Sequence, residues 1–302
     1  MAASATPSTV KTRFLVLSDT HGREVEIPPE SEADVAINCG DLTAESQIEE
    51  FRSAIKLLQS IKAPLKLVIA GNHDFTLDDH LFRRKMAGVP SSNLEMIKRE
   101  YGGVGEAREL FEQDEVKQSG IVLLDEGTHT FTLANGAALK VYASPYTPSF
   151  GDWAFQYLPE TGHEFDIAND VDVAMTHGPP NGVMDMTRSK ERAGSSGLFE
   201  AIARSRPQMH CFGHIHEAWG AKFAAWRPKI NKKPTHFSDI DNGESKVVSN
   251  LSQVDPGTQM VETSHCIGDE YPLQSGSQTL FLNAAVKEGQ PLWLVDLELP
   301  QA

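Results

Sequence analysis

Five short apolar runs in this chain each end in a cluster of Asp, Asn or His, and this repetition restricts the folds that the chain can adopt. The runs cover residues 13–18, 34–39, 65–70, 171–175 and 208–212. Apolar runs of this length that are bounded by Gly are typical of buried strands. The polar clusters would then lie outside the carboxyl ends of the strands, which is where open α/β sheets place their sites.

The clusters contain side chains that can bind a metal or transfer a proton. In chain order they are Asp19 and His21, Asp41, Asn72 with His73 and Asp74, His177, and His214 with His216. Asp-x-His and His-x-His both have a spacing of two residues, which places both side chains on one face of an extended chain. A single cluster could be an ordinary turn, because Gly and Asn dominate turns. Independent placement of all of them at successive strand ends is a poor explanation.

The donor types in these clusters indicate a transition-metal site. Imidazole, carboxylate and amide oxygen together suit Zn, Fe, Mn, Co or Ni better than Mg or Ca alone. The candidate metal ligands are Asp19, His21, Asp41, Asn72, His177, His214 and His216. They are too many for one tetrahedral site but suit two metals that share a bridging carboxylate. Two ions about 3.5–4 Å apart clamp the nucleophile and the oxygens of a phosphoryl group during an in-line displacement.

The order of the predicted elements favours an α/β fold. Apolar residues recur at helical spacing over about residues 44–61, which predicts an amphipathic helix between two of the strands. A strand, a helix and a strand in this order imply parallel strands. Residues 76–118 are predicted to be mainly helical, and the turn at Asn135-Gly136 predicts an antiparallel hairpin. The hairpin implies a mixed sheet or a second sheet. Closing strands are predicted at 279–283 and 292–297.

Two segments are expected to lie outside the regular fold. Residues 1–11 are small and polar, which predicts a loose tail. Residues 221–278 are polar, lack a sustained periodicity and are interrupted by four prolines. We interpret them as a long, mobile insertion that could lie over the site. No linker is long enough to force two domains, so residues 1–302 are predicted to form a single domain.

Charge and cysteine content limit the partners of the chain. The 42 acidic residues outnumber the 27 basic ones and give a net charge of −15, which would repel an extended nucleic acid. Three scattered cysteines suit a reducing compartment better than a disulfide framework. The start lacks the apolar segment of a secretory signal, and no apolar run approaches the ~20 residues that span a bilayer. The sequence therefore predicts an intracellular, cytoplasmic protein without a membrane partner.

Taken in order, the motifs resemble those of the calcineurin-like metallophosphoesterase superfamily. They are Asp19-Thr20-His21, Gly40-Asp41, Gly71-Asn72-His73-Asp74, Thr176-His177-Gly178 and Gly213-His214-Ile215-His216. The resemblance covers about residues 13–220. The segments at 144–148, 153–155, 176–180 and 216–220 are similar to the metallophosphoesterase domain-containing branch. The resemblance implies a four-layered α/β sandwich of two mixed β-sheets flanked by helices, and an activity on phosphodiesters and cyclic nucleotides.

The resemblance also implies a role for each candidate residue. Asp19, His21 and His216 would bind the first metal, Asp41 would bridge, and Asn72, His177 and His214 would bind the second. The two ions would be divalent transition metals, with manganese as the first expectation, and a hydroxide that bridges them would attack phosphorus. His73 would protonate the leaving oxygen or stabilise charge in the transition state. Asp74 would fix the tautomer of His73 or cap the following helix, and the sequence supports both roles equally.

Three other functions are compatible with the same residues. A phosphomonoesterase and a protein phosphatase would use the same site on a different substrate. A low-turnover scaffold would bind a nucleotide without useful hydrolysis, but such a scaffold has no need of His73. The expected substrate is a small phosphoester or a nucleotide, and the sequence does not indicate any protein partner.

The remaining prominent side chains are expected to be structural or exposed. The histidines interpreted in this way are His80, His129, His163, His210, His236 and His265. The aromatic residues between 150 and 157 are interpreted as core packing, whereas Trp219 is a candidate for lining the site. The charged segment 187–192 is expected to be solvated, with Arg188 or Arg192 as the candidates for binding a substrate phosphate.

Overall fold

Two large β-sheets pack face to face in a computed structural model that describes residues 8–302. The strands are β1 (Thr9–Leu17), β2 (Val35–Asn38), β3 (Leu65–Val68), β4 (Ile121–Leu123), β5 (Gly127–Thr132), β6 (Ala138–Ser144), β7 (Thr147–Pro148), β8 (Gln156–Tyr157), β9 (Val173–Thr176), β10 (Met209–Phe212), β11 (Gly220–Trp226), β12 (Ile240–Asn250), β13 (Met260–Ser264), β14 (Gln278–Asn283) and β15 (Leu292–Pro300). The α-helices are α1 (Ile48–Ser60), α2 (Asp79–Ala87), α3 (Leu94–Tyr101), α4 (Glu106–Glu112), α5 (Asp114–Gln118) and α6 (Ser196–Ser205).

The first sheet has the strand order β13-β15-β1-β2-β3-β4. Its strands β1 to β4 are parallel, as the strand–helix–strand order predicted. The closing strand β15 is antiparallel to β1, which makes the sheet mixed. Their register places Arg13 opposite Asp296, and Nε of Arg13 lies 2.7 Å from Oδ1 of Asp296.

The second sheet has the strand order β12-β11-β14-β10-β9-β6-β5. Strands β6, β9, β10 and β14 are parallel, whereas β5, β11 and β12 are attached in antiparallel pairs. The predicted hairpin joins β5 to β6, and Gly136 adopts a φ of +88° in its turn. Oδ1 of Asn135 accepts a hydrogen bond from the amide of Ala137 at 3.1 Å, which stabilises the turn.

The layering follows from alternation of side chains along the strands. In β1, Phe14 and Val16 face the second sheet and pack in the core between the two sheets. Leu15 and Leu17 point to the opposite face and pack against Phe51 of α1. Successive side chains of a strand point to opposite faces, so a strand that is buried on both sides must be apolar throughout. A corresponding layer covers the other sheet, where α6 packs on β9 and β14.

These layers confirm the predicted α/β sandwich of two mixed sheets flanked by helices. The predicted helix at 44–61 is α1, which begins at Ile48 and is preceded by a capping box between Gln47 and Glu50. The region 76–118 is mainly helical, as predicted, and contains α2 to α5. Among residues 8–302, none of the helices combines the length and the apolar character required to cross a membrane.

Two expectations about irregular segments were wrong. Residues 9–11 belong to β1 and pair with β15, so they are not part of a loose tail, and residues 1–7 lie outside the described part of the chain. Residues 221–278 contain most of β11 together with β12 and β13, which join both sheets. This region is therefore built into the sandwich rather than inserted as irregular chain.

Candidate metal centre

The predicted ligands meet where the carboxyl ends of the two sheets adjoin. The first sheet contributes Asp19 after β1, Asp41 after β2 and Asn72 after β3. The second sheet contributes His177 after β9 and the loop with His214 and His216 after β10. Two sets of these side chains each place their donor atoms within 4.8 Å of one another. We call them the Asp19 group (Asp19, His21 and His216) and the His177 group (Asp41, His177 and His214).

The Asp19 group is formed by residues that are close in space but far apart along the chain. Nε2 of His216 lies 3.1 Å from Oδ1 of Asp19 and 3.4 Å from Nε2 of His21. Nε2 of His21 lies 3.9 Å from the same oxygen of Asp19. All three donors therefore point at one small volume between the sheets.

The His177 group is completed by Asn72. Nε2 of His177 lies 2.9 Å from Oδ1 of Asn72 and 3.4 Å from Oδ1 of Asp41. The ring of His214 packs edge-on against His177, with ring centroids 5.0 Å apart. Nitrogen and oxygen donors are thus combined in the same cluster, as predicted from the sequence.

Asp41 belongs to the His177 group and also approaches the Asp19 group. One carboxylate oxygen, Oδ2, is 3.5 Å from Nε2 of His21 in the Asp19 group. The other oxygen, Oδ1, is 3.4 Å from Nε2 of His177. A carboxylate in this position can provide one oxygen ligand to each of two cations. This is the geometry that a bridging ligand requires.

Several of these residues adopt a left-handed backbone conformation that is uncommon outside Gly. The φ angles are +58° at Asp19, +47° at His21, +52° at Asp41 and +66° at His214. The loops are held in this conformation by backbone hydrogen bonds from Asp19 to Gly40 and from His21 to Asp41, at 2.9 and 3.0 Å. Such conformations concentrate at functional sites because the surrounding structure must compensate for their cost.

Gly71 allows the third loop to approach the other two. A β-carbon at this position would lie 2.3 Å from Oδ1 of Asp41 and 2.7 Å from Cε1 of His177. The Gly in the Gly71-Asn72-His73-Asp74 motif is therefore required for close packing as well as for the turn.

Burial and mutual attraction together determine the ionisation of the site. Burial favours the neutral form of Asp41, but the nearby His177 holds the pKa of its carboxyl well below the usual range. Burial also opposes charge on His177, yet Asp41 raises the pKa of that imidazole to about 9. Burial lowers the pKa of His21 and of His214 to about 4 in each case. At neutral pH these two imidazoles are neutral, which is the form that binds a metal.

The residues fit divalent metal ions. Nδ1 of His177 lies 2.9 Å from the carbonyl oxygen of Cys39 and must donate to it, so the metal-free imidazole presents Nε2 to the site. Nδ1 of His21 is buried and has no hydrogen-bond partner. Buried carboxylates that converge with imidazole nitrogens are costly unless a cation neutralises them. Imidazoles supported by a backbone carbonyl are typical of metal ligands.

His73 lies beside the ligands and is held by two contacts of its own. Its amide donates to Oδ1 of Asp41 at 2.8 Å, and its Nδ1 donates to the carbonyl oxygen of Ala44 at 2.7 Å. Its Nε2 is therefore left for the site. His73 also falls within 4.8 Å of the donor atoms of His21 and Asp41, so its predicted role as a non-ligand stays a prediction.

Asp74 makes neither of the contacts that the sequence suggested. Its carboxylate accepts hydrogen bonds from the amides of Leu42, Thr43 and Gly71 and from the Thr43 hydroxyl, at 2.7 to 3.1 Å. It does not cap the short 3-10 turn that follows. The prediction that Asp74 is a catalytic residue is therefore corrected. The hydrogen bonds of its carboxylate join the Asp41 loop to the Gly71 loop.

Two further expectations were wrong, one for Trp219 and one for the aromatic segment 150–157. Trp219 does not line the site, because it is buried and stacks on Trp293 in the core with ring centroids 4.6 Å apart. Arg192 pairs with buried Asp185 at 2.6 Å, and Arg188 pairs with Glu288. The role of either arginine in binding a substrate phosphate stays a prediction. The aromatic segment 150–157 is not all core, because Phe150 is 94% exposed and Trp153 is 43% exposed.

Residues that sequence reasoning missed support the histidine loops. Trp153 packs against His73 with ring centroids 4.5 Å apart. Nδ2 of Asn283 donates to the carbonyl of Ile215 at 2.9 Å, and Nε2 of Gln290 donates to the carbonyl of His216 at 3.0 Å. Asn283 ends a buried strand and so repeats the polar strand-end pattern that identified the ligands. No local pattern distinguishes Trp153 or Gln290.

A family model described as calcineurin-like phosphoesterase matches residues 12–218, a range that contains every candidate ligand. This range runs from β1 to β10 and ends just before β11 begins.

Curated relatives are similar over about the same part of the chain. Metallophosphoesterase domain-containing protein 1 of Homo sapiens is 30% identical over 221 residues, covering 69% of this chain and 62% of that protein. A UPF0046 protein of Caenorhabditis elegans is 31% identical over 230 residues, covering 72% and 55%. A probable rhamnogalacturonate lyase C of Emericella nidulans is 32% identical over 215 residues, covering 71% of this chain and 18% of that protein. The chain thus spans less than two thirds of the length of each of these relatives.

Proposed function

Because the chain belongs to the calcineurin-like phosphoesterase family, whose members hydrolyse phosphoesters with the help of metals, we propose that it is a phosphodiesterase with a dinuclear metal centre. The family match confirms the resemblance drawn from the motifs. The choice of a diester and of two metals is our proposal and depends on the geometry of the site.

The position of Asp41 is the observation that carries this proposal. Its two oxygens lie 3.5 Å from His21 and 3.4 Å from His177, each of which belongs to a different ligand group. A site for a single ion would need only one of these groups. Asp19, His21 and His216 would hold one ion, Asn72, His177 and His214 would hold the other, and Asp41 would bind both.

The residues of the chain hold the reactants in place. When bound, two divalent ions would lower the pKa of water and neutralise charge that develops on the phosphoryl oxygens. The carboxyls of Asp19 and Asp41 have lowered pKa values and stay ionised, so their charge would hold two cations in a buried site. The left-handed loops at Asp19, Asp41 and His214 fix the ligands before substrate binds. Little reorganisation is then needed during the reaction.

His73 would act on the leaving oxygen. The Ala44 carbonyl fixes Nδ1 as a donor, so a protonated His73 carries its second proton on Nε2. Transfer of that proton to the leaving oxygen returns His73 to the neutral tautomer that Ala44 already stabilises. This fixed tautomer supports a general-acid role and disfavours a pure scaffold.

A diester suits the charge of the site better than a monoester. A phosphodiester carries one negative charge, whereas a monoester carries up to two near neutral pH. The arginines that could have neutralised a second charge are paired with acids, Arg188 with Glu288 and Arg192 with Asp185. We therefore propose a small phosphodiester or cyclic nucleotide as the substrate, with neither an extended nucleic acid nor a membrane as a partner.

We propose manganese as the first metal to test, because Asp19, Asp41 and Asn72 supply oxygen donors alongside the imidazoles. An intracellular, cytoplasmic location is also part of the proposal. It is supported by Cys39, Cys211 and Cys266, which are all buried as free thiols in the described structure.

Hydrolysis of bis(p-nitrophenyl) phosphate and of p-nitrophenyl phosphate by the manganese-loaded protein tests the proposal. We expect a higher kcat/KM for the diester. Faster turnover of the monoester would favour a phosphomonoesterase instead. Binding of two metals without a single turnover of either ester would favour the nucleotide-binding scaffold.

A further inference from the structure

Trp153 differs from the other tryptophans in its exposure. The sequence contains four tryptophans, and the side chains of Trp219, Trp226 and Trp293 are buried in the core. Trp153 is 43% exposed although its ring packs against His73. Exposure of a single aromatic ring is ordinary, so what distinguishes Trp153 is its position beside a polar site.

The ring lies at the edge of the candidate metal centre. Its centroid is 4.5 Å from that of His73, and the two ring planes are tilted by 38°. The next residue, Ala154, donates its amide to the carbonyl oxygen of Asn72 at 3.1 Å. Trp153 is thus joined to the loop that carries one candidate ligand and the proposed general acid.

Contacts on both sides of Trp153 hold the ring in this position. On one side, Asp152 pairs with Arg84 and Lys85 of α2, each at 2.9 Å. On the other side, the amide of Phe155 donates to Oδ2 of Asp78 at 3.3 Å. The carbonyl of Phe155 accepts from the amide of Thr147 at 2.9 Å, which links the segment to β7 and β8. A ring held in this way can bind a flat partner without first being ordered.

We propose that Trp153 forms the stacking surface for the nucleobase of a nucleoside phosphodiester, and this inference rests on the proposed function. The His73 ring covers one side of the indole, and the exposed part of the indole is free to receive a base. A base stacked there would place its sugar and phosphate towards His73 and the metal ligands. Stacking of one base on one aromatic ring changes affinity by roughly 5- to 150-fold and tolerates different bases.

A simpler role would be to shield His73 from water. Shielding requires contact with His73 but gives no reason for the open surface of the ring. It also predicts no preference for a ligand that has a base. The two roles can therefore be separated by ligands that differ only in the base.

Calorimetric titration of the manganese-loaded protein with AMP and with ribose 5-phosphate makes this comparison. We expect AMP to bind at least about 5-fold more tightly than ribose 5-phosphate. Trp153→Ala should lose most of this preference, and Trp153→Phe should keep part of it because a ring remains. Phe237→Ala is the matched control, since Phe237 is 72% exposed on a different loop and its removal should leave the preference intact.

Tryptophan fluorescence gives a second readout that needs no variant. AMP should quench the emission of the exposed Trp153 in the wild-type protein, and ribose 5-phosphate should not. Equal affinity for the two ligands, a preference that survives in Trp153→Ala, or no binding of AMP at millimolar concentration would each overturn the inference. Hydrolysis of bis(p-nitrophenyl) phosphate is measured on the same samples. Tighter binding of AMP than of ribose 5-phosphate without hydrolysis would refute the proposed function. The proposal that Trp153 stacks on a base would still hold.

Discussion

Gly213 lies so close to Asp19 that a β-carbon on Gly213 would be 1.9 Å from Oδ2 of the Asp19 carboxylate. The amide of the next residue, His214, donates to both oxygens of that carboxylate at 3.1 and 3.0 Å. Gly213 follows a strand of one sheet, and Asp19 follows a strand of the other. The absence of a side chain at Gly213 therefore allows the two halves of the candidate metal centre to meet.

Gly213→Ala should weaken metal binding and slow hydrolysis, because the new methyl group would displace Asp19 or His214. We expect metal content to fall below one ion per chain and kcat/KM to fall by about two orders of magnitude, as expected for a small misplacement in a catalytic site. Elemental analysis and initial rates check this. Gly103→Ala is the matched control, since its β-carbon would approach only Oε2 of Glu106, at 3.7 Å. Normal metal content in Gly213→Ala would contradict the packing argument.

His73→Ala should keep both metals and lose most of the turnover. General-acid catalysis contributes about 10²- to 10⁴-fold to a rate, so kcat should fall by an amount in that range. The loss should be smaller for bis(p-nitrophenyl) phosphate, whose leaving group needs little protonation, than for a diester with an alkyl leaving group. Loss of a metal ion from the variant would instead identify His73 as a ligand, as its proximity to His21 and Asp41 allows.

Metal binding should release a proton from His177. Burial disfavours its charged form, but Asp41 raises its pKa to about 9 in the metal-free protein. Calorimetry in buffers of different ionisation enthalpy measures the protons released on metal binding. His177 should contribute about one proton per chain at pH 7 and about half a proton at pH 9. The same shift gives metal-free protein a stabilisation that is complete below pH ~6.5 and is lost as the pH rises through ~9. Proton release that does not change between pH 7 and pH 9 would contradict this assignment.

Asp74→Ala should destabilise the fold rather than remove a chemical step. The amides of Leu42, Thr43 and Gly71 would lose their buried acceptor, and each unpaired donor costs about 1–3 kcal/mol. We expect the free energy of unfolding to fall by at least about 3 kcal/mol, which is the lower bound for three unpaired donors. Denaturant titration measures this change. Asp170→Ala is a suitable control, because Asp170 forms an exposed ion pair with Lys140, and such pairs contribute about 1 kcal/mol or less.

The sequence was sufficient to predict the strands that are buried on both faces and the ligands that follow them. Both are local patterns: an apolar run and then a polar residue at its end. The edge strands β12 and β13 could not be predicted, since they lie at the margins of the sheets and are mostly only partly buried or exposed. Polar edges are common because they prevent unwanted pairing, but they remove the apolar alternation that identifies a strand.

Asp74 and Trp153 show why the supporting residues of the site escaped prediction. Asp74 is adjacent to His73 in the sequence, yet its hydrogen bonds go to Leu42 and Thr43, which are about 30 residues away. Trp153 contacts His73 across 80 residues of chain. Such contacts depend on how loops from different strands fold together, and neighbouring residues carry no signal of them. The opposite error was made for Trp219, which is close to His216 in sequence but packs into the core.

The most direct test of the two-metal phosphodiesterase is a manganese titration of metal-free wild-type protein and of Asp41→Asn, with bis(p-nitrophenyl) phosphate as the substrate. The rate of the wild-type protein should rise to a plateau at two manganese ions per chain. Asp41→Asn replaces an anionic oxygen with a neutral amide between His21 and His177, and it should lose activity by at least two orders of magnitude. A plateau at one ion, or undiminished activity of Asp41→Asn, would contradict the account.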